Sequence, residues 1–544
     1  MPEQSRLSTF FTELKRRRII RVAAVYAGVT FIIIQIIDGA FPALHIPEWV
    51  GSLVIILMLL GFPLIIGLAW LTSPSRRSGE SSAVEAESQH VGNAEPTMRQ
   101  SVDVAGPVTH DERPIQSMAV LSFTDMSPDG DQEYFGDGMA EELIDALSKI
   151  DDLQVVARST AFAFKHKDID IREVGRKLNV EAVLEGSIRK SGDHLRVNAQ
   201  LIRVSNGFHL WSEKYDRDMQ DLFEIQDDLA QNIVGAIGAV LTEQAKRSLT
   251  VAITSNIEAY DYYLRGREFF YRAHLESLEF AMRMFTRATE IDPKFARAYA
   301  GLADCNSWSF LYFGAAEGKV EAAIEASRKA LELDSDLAEA HVSHGWAVSL
   351  HGQYDLAESE FETALSMNPK LYEAYYFYAR TCWAQGKMER AAQLFEKAAE
   401  VNPQDFQALS LLNSVYDKLG HKAQQESARS RAIVIIERHL ELNPDNARAL
   451  YFGAILLIVQ GERERGLELA ERAIAIDPDD LNIAYNVACA HARAGNTETA
   501  LDYLSKVLLA GFSHKEWVEN DGDLMSLHGH PRFQELLEQM PSLE

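Results

Sequence analysis

The chain has 544 residues, 47% of them apolar and 24% charged, an ordinary globular composition that excludes a wholly disordered or collagen-like polymer. A formal net charge of −27 and a pI near 5.1 exclude the basic face that a general nucleic-acid binder needs. Cys305, Cys382 and Cys489 stand far apart, which argues against a disulfide framework or a thiolate zinc site.

Residues 1–77 read as a membrane anchor of two transmembrane helices, 19–37 and 49–71. Val22 to Ile37 carries no charge, and residues 19–37 are long enough to cross ~30 Å of hydrocarbon. Trp49 to Leu71 is also uncharged, with Trp49 and Trp70 near its ends as interfacial tryptophans stand, and with Pro63 expected to kink it. The loop Asp38 to Glu48 has no Lys or Arg, whereas Lys15, Arg16, Arg17, Arg18 and Arg21 precede the first span and Arg76 and Arg77 follow the second. The positive-inside rule then places both termini and the soluble body in the cytoplasm. The alternative, in which the first span does not insert, leaves the body periplasmic.

Residues 78–113, rich in Ser, Glu, Gly and Pro, read as a flexible linker. The charge is +3 over residues 1–80 and −17 over 251–544, so the acidity belongs to the body beyond the anchor.

Residues 114–247 alternate strand and helix patterns and form an α/β domain. A strand is expected over Ser117 to Phe123, a helix from about Gln132 to Ile150, a short strand over Leu153 to Ala157 and a short helix over Ile171 to Leu178. Three antiparallel strands follow, Glu181 to Arg189, His194 to Arg203 and Phe208 to Tyr215, with turn residues at Ser191-Gly192-Asp193 and Ser205-Asn206-Gly207. A helix from about Leu222 to Gln244 closes the unit.

Residues 251–513 are a repeat array. Pro369 and Pro403 are 34 residues apart, as are Pro444 and Pro478. Small or packing residues recur at matching places: Gly345, Ala357, Phe361 and Ala364; then Ala379, Ala391, Phe395 and Ala398; then Ala454, Gly466, Ala470 and Ala473. Helix pairs at this period are the tetratricopeptide repeat (TPR) signature, and about seven units fit, forming an α-α superhelix. Residues 514–544 read as a carboxy-terminal cap on the last repeat.

A superhelix of this kind exposes an inner face lined by the first helix of each repeat. Trp308, Trp346, Tyr376, Arg380, Trp383 and Tyr451 fall on that face and are the candidate peptide-binding residues, since aromatics and Arg anchor interface hot spots. Tyr376, Arg380 and Trp383 are spaced to share one helix face. His341 and His344 occupy large-residue packing positions with no ligand at metal spacing beside them. Gly136-Asp137-Gly138 reads as a helix-entry turn, since no Gly-Lys-Ser/Thr follows. Asp125, Asp129, Asp131 and Asp137 read as solvated turn carboxylates. No catalytic residue, cofactor, metal or nucleic-acid partner is expected.

The pieces Glu133-Tyr134-Phe135, Val155-Val156-Ala157-Arg158-Ser159, Leu184-Glu185-Gly186-Ser187 and His209-Leu210-Trp211-Ser212-Glu213 resemble the bacterial TolB amino-terminal-like (FlgO-like) domain, over about 115 residues. In bacteria that domain often stands between a membrane segment and TPR repeats; some of those proteins begin with a class III adenylate cyclase domain, others with a winged-helix regulator of the CadC type. The stretch FFTELKRRRIIRVAAVYAGVTFIIIQ resembles the membrane hairpin of the same proteins. The resemblance implies a bacterial inner-membrane protein that acts as a scaffold or sensor, and it supplies no catalytic residues. The expectation is therefore a mostly α protein with an α/β domain and a transmembrane hairpin. It would serve as a membrane-anchored, non-catalytic adaptor that takes a protein or peptide partner in its TPR groove. The alternative is a ligand sensor or accessory regulatory subunit acting through the TolB-like domain.

Overall fold

The computed structural model describes residues 114–540, apart from 151, 168, 239–253, 273–274, 313–317, 511 and 513–514. The first part is a small mixed sheet with helices. Strands β1 (Ser117–Val120) and β2 (Thr124–Asp125) precede helix α1 (Glu133–Ser148). Strand β3 (Gln154–Val155), the one-turn helix α2 (Arg158–Ala161) and α3 (Ile171–Leu178) follow. Three long strands, β4 (Ala182–Ser191), β5 (His194–Arg203) and β6 (His209–Asp218), then lead into α4 (Leu222–Ile237). The order is β3-β1-β4-β5-β6, with β2 beside β4. β1 runs parallel to β3 and β4, while β4, β5 and β6 are antiparallel.

Strand β5 shows why this sheet has a sided core. Leu195, Val197, Ala199 and Leu201 are fully buried, while Arg196, Asn198 and Gln200 between them face the other way. This two-residue period puts one apolar row against Leu143 and Leu147 of α1 and Ile225, Leu229 and Ile233 of α4. The other face is covered by Val174 and Leu178 of α3.

Seven helical pairs then run in series among the described residues. They are α5 (Ile257–Arg272) with α6 (Leu275–Ile291), α7 (Ala296–Tyr312) with α8 (Lys319–Leu333) and α9 (Ala338–Leu350) with α10 (Tyr354–Met367). Next come α11 (Tyr372–Ala384) with α12 (Met388–Val401), α13 (Gln407–Leu419) with α14 (Lys422–Leu442), α15 (Ala447–Gln460) with α16 (Arg463–Ile476) and α17 (Leu481–Arg493) with α18 (Thr497–Leu509). The recurring small residues form the seams. Ala357, Phe361 and Ala364 of α10 and their counterparts Ala391, Phe395 and Ala398 of α12 are completely buried. Asn446 and Asp480 cap α15 and α17 by accepting from Ala449 N at 2.9 Å and Asn482 N at 2.8 Å. A tail closes the chain: α19 (Lys515–Asn520), a 3-10 segment (Gly522–Leu527) and α20 (Pro531–Gln539).

The sheet domain and the repeats belong to one compact unit and share a core. Tyr260, Tyr263, Phe285 and Phe295 pack in the same cluster as Leu143 and Leu147. Gly138 of α1 makes this possible, because a Cβ there would lie 2.4 Å from Leu264 Cδ2. Polar clamps flank the contact: Tyr134 donates to Asp261 at 2.7 Å, Lys190 pairs with Asp261 at 3.1 Å, and Arg297 pairs with Glu142 at 3.1 Å and Asp145 at 3.2 Å. Farther along the array, Lys370 Nζ donates to Ile150 O at 2.6 Å and Arg438 to Lys177 O at 3.2 Å.

The structure corrects the expected fold class. The described residues form a mostly helical TPR-like superhelix preceded by a small mixed sheet. The segments 19–37 and 49–71 assigned to that hairpin lie outside the described residues, and among the described residues no helix is long and apolar enough to cross a membrane. The physical reason is amphipathicity. A crossing helix needs about 20 mainly apolar residues; α14, at 21 residues, carries Lys422, Glu426, Arg429, Arg431, Glu437, Arg438 and Glu441, and the more apolar α15 has only 14. The integral inner-membrane localisation, with a cytoplasmic or a periplasmic body, finds no spanning helix among the described residues. Gly136-Asp137-Gly138 also differs from expectation, since it lies inside α1 rather than in a turn before it.

Phe285 tests the shared core. It is completely buried, and its ring fills the space left by Gly266 and Gly301, where a Cβ would approach it to 2.5 and 2.8 Å. Phe285→Ala is expected to destabilise this region by about 3–5 kcal/mol, read as a fall in the urea midpoint of the full chain.

Candidate functional site

The first helices of the pairs line the inner face, and their aromatic residues run along it. Trp308 of α7 meets Trp346 of α9 edge-on at 5.8 Å, and Trp346 stacks on Phe377 of α11 at 4.2 Å. The array curls tightly enough that Arg448 of α15 lies over the Trp308 ring at 5.1 Å. First helices that are distant in sequence therefore face one another.

Between them is a narrow recess of about 50 Å³, walled by Tyr312, Tyr376, Arg380, Arg448, Tyr451 and Asn482 among others. Arg380 donates to the Tyr312 hydroxyl and, at 3.5 Å, to that of Tyr376. Arg448 donates to Gln407 Oε1 at 3.1 Å, and Asn482 Nδ2 donates to the Tyr451 hydroxyl at 3.1 Å. Among the described residues neither guanidinium pairs with a carboxylate; both sit among tyrosines. Burial works against their charge, but the tyrosines around them more than offset it and hold both above the ordinary arginine value. Burial likewise pushes the Tyr376 and Tyr451 hydroxyls above the usual phenol value. The recess thus combines flat apolar walls with two cations whose partners are neutral.

One wall is the chain's own tail. Trp517 of α19 stacks on Trp383 at 4.6 Å with 16° between the rings, and the Arg380 guanidinium lies over Trp517 at 4.8 Å. Lys418 Nζ donates to Asn520 Oδ1 at 2.7 Å and to its carbonyl at 3.0 Å. Asp523 accepts from Ser414 Oγ at 2.9 Å and from Arg493 Nε at 2.7 Å, and Asp521 accepts from the Tyr485 hydroxyl at 2.7 Å. Gly522 is obligatory between these aspartates, because a Cβ would lie 2.9 Å from the Ser414 carbonyl oxygen. Burial and the neighbouring Asp523 raise the Asp521 carboxyl to about 7.

Of the six residues expected at a groove, Tyr376, Arg380, Trp383 and Tyr451 line this recess. Trp346 lines a shallower neighbouring depression together with Arg380 and Trp517, and Trp308 lies under Arg448. Trp383 is only 1% exposed, because Trp517 covers it. Sequence reasoning missed Arg448, Tyr312 and the tail residues. Arg448 stands three residues before Tyr451 on one helix face, so the spacing rule that joined Tyr376 to Arg380 also reaches it. Tail residues carried no such signal. The histidines are packing groups: His341 Nδ1 lies 2.6 Å from Glu360 Oε2 and His344 Nδ1 3.0 Å from Ser327 Oγ. Asp137 is buried and accepts from Lys165 Nζ at 2.7 Å. Among the described residues no cluster of His, Cys, Asp and Glu is arranged to hold a metal ion.

Residues 350–415 and 453–514 both match family models described as tetratricopeptide repeat. The helical pairs in these two ranges are TPR units. Residues 115–234 match the model for the second domain of the HilA/YgeH-like transcriptional regulators. A protein of Rhizobium meliloti (strain 1021) that carries the name adenylate cyclase 3 is 38% identical over 246 residues, 44% of this chain and 42% of that protein. The chain thus spans about two fifths of the length of the curated relative it matches. Among solved structures, YrrB, a TPR protein with an unusual peptide-binding site, is 22% identical over 36% of this chain and 97% of its own, with a TM-score of 0.24. A thermophilic TPR protein of Thermus thermophilus, TTC0263, is 22% identical over 32% of this chain and 91% of its own, with a TM-score of 0.27. Pseudomonas aeruginosa PilF is 19% identical over 42% and 96%, with a TM-score of 0.28.

Two measurements probe how the tail is seated in the TPR array. Because Asp521 holds its proton more tightly folded than unfolded, its contribution to stability is full at low pH and is lost as pH rises through about 7. Asp521→Asn, which keeps an acceptor for Tyr485, is expected to flatten this dependence: urea midpoints of variant and wild type converge near about pH 3.5, below the unfolded carboxyl value, and the variant gains on wild type near about pH 8. Gly522→Ala forces backbone apart and is expected to lower the midpoint by about 1–3 kcal/mol equivalent, with protease cleavage newly appearing within residues 512–527.

Proposed function

We propose that this chain is a non-catalytic adaptor that binds a segment of a partner protein in the recess on the inner face of its TPR array. The observation that carries the reading is the convergence of Tyr376, Arg380, Tyr451 and Arg448, from helices α11 and α15, on one recess. Aromatic rings and guanidinium groups are the side chains that dominate protein interfaces when they are held rigidly in a pocket. Here rigidity comes from stacked helices rather than loops. Asn482, Asn486 and Gln407 on the same walls supply neutral amide donors and acceptors suited to the main chain of a bound segment.

The sheet domain is read as a platform. It covers the apolar face of the first repeat and braces the array through Lys370 and Arg438. Its likeness to a regulator's second domain and the relative's cyclase name belong to proteins that combine such modules with other chemistry. The residues described in this chain support binding and offer no constellation for nucleotide cyclisation.

Affinity capture with the full chain, read by quantitative mass spectrometry, tests the proposal. Tyr451→Ala with Arg448→Ala is expected to reduce the captured partners about tenfold or more, while Phe208→Ser, on an exposed turn of the sheet domain, leaves them unchanged. Equal loss with both variants, or no loss with the double variant, overturns the recess as the binding site.

A further inference from the structure

The tail occupies the same surface that the adaptor reading assigns to a partner, and the inference below rests on that reading. Its contacts are those of a bound peptide. An aromatic ring stacks on Trp383 under Arg380, a side-chain amide ties to Lys418 and to the Ala384 carbonyl oxygen at 3.3 Å, and an acidic residue bridges Ser414 and Arg493. We propose that α19 is a built-in occupant of the groove, and that the partner is an acidic segment with an aromatic anchor that takes the place of Trp517.

Three observations support both halves. The first is charge. The tail's own groups pair Lys418 and Arg493, but they leave Arg380 with tyrosine hydroxyls and an indole face and Arg448 with Gln407. A segment richer in carboxylates than the tail gains two charge-assisted contacts that the tail does not make. The second is the unequal anchoring of the tail. Of α19 only Val518 is completely buried, whereas the 3-10 segment buries Leu524 and Leu527 completely and α20 buries Phe533, Leu536 and Leu537 nearly so. Trp517 keeps some exposure, and α19 has only six residues, too few to be stable as a helix without its contacts. Exchange is therefore confined to α19, with the 3-10 segment and α20 holding the array's end in place. The third is position. Trp517 borders both the main recess and the shallower depression beside Trp346, so removing its ring joins the two into one longer groove along α9, α11 and α15.

The test uses the full chain and a synthetic peptide with the sequence of α19, residues 515–520, Lys-Glu-Trp-Val-Glu-Asn, labelled for fluorescence anisotropy. Trp517→Ala is expected to bind this peptide at least about tenfold more tightly than wild type, because its own occupant has lost the anchor. Adding Arg380→Glu to Trp517→Ala is expected to abolish that gain, and replacing the peptide's acidic residues by Gln or Asn to reduce it. Circular dichroism and the urea midpoint, held by the buried residues of the 3-10 segment and α20, establish that each variant is folded. Equal peptide affinity in wild type and folded Trp517→Ala overturns the proposal. So does a Trp517→Ala chain that turns dimeric and ignores the peptide, which places a second copy in the groove. If Trp517→Ala captures the same partners as wild type with unchanged affinity, self-occupation fails while the adaptor reading stands. If the wild-type chain captures nothing that Tyr451→Ala with Arg448→Ala weakens, the adaptor reading itself falls.

Discussion

A helical hairpin that repeats along a chain has more apolar surface than its two helices can hide from each other, and everything else in this structure follows from where the surplus goes. Within each pair the seam is closed by small residues and one ring: Ala357, Phe361 and Ala364, then Ala391, Phe395 and Ala398. Between pairs, the next hairpin covers what the last leaves open. At the start of the array there is no preceding hairpin, and α1 of the sheet domain takes that place through Gly138, Leu143 and Leu147. At the far end α20 covers α18 with Phe533, Leu536 and Leu537.

The inner face is the remaining surplus, and it is managed differently. Its aromatic residues are too numerous for mutual packing alone to satisfy, so the chain folds α19 and the 3-10 segment back across them. This return carries aspartates into a region that holds Arg493, Lys418, Arg380 and Arg448. Asp523 is compensated by Arg493. Asp521, buried beside Asp523 with Tyr485 as its donor, resolves the like-charge conflict by holding its proton more strongly. Buried charge is tolerated here because each acidic group has a named donor, whereas the two arginines of the recess rely on phenol oxygens and ring faces.

The sheet domain shows how one module is adapted to carry another. Its sheet needs helices on both faces, and α1 serves twice, since one side lies on the sheet and the other meets α5. Asp261, Tyr134 and Lys190 then form a polar rim around that apolar contact.

Much of this was legible along the chain. The 34-residue spacing of Pro369 and Pro403 and the recurrence of alanine and phenylalanine at fixed places announce TPR units, because seam packing acts on neighbours in sequence and writes itself into a period. The alternation of Leu195, Val197, Ala199 and Leu201 announces β5 for the same reason. Groove residues on one helix, such as Tyr376 and Arg380, were also visible, since helical spacing alone puts them on one face. The hairpin expected at 19–37 and 49–71 lies outside the described residues, among which no helix is long and apolar enough to cross a membrane. What tertiary structure alone decided is which faces meet. Arg448 reaches Trp308 across the curl of the array, and Trp517 lies down on Trp383. Such contacts depend on the accumulated rotation of several hairpins and on the return path of the tail, and no local pattern encodes either. The sequence by itself determined the repeat and the side chains that point inward; only the folded array decided that the chain's own tail would lie among them, because that segment is placed by long-range burial and not by any period.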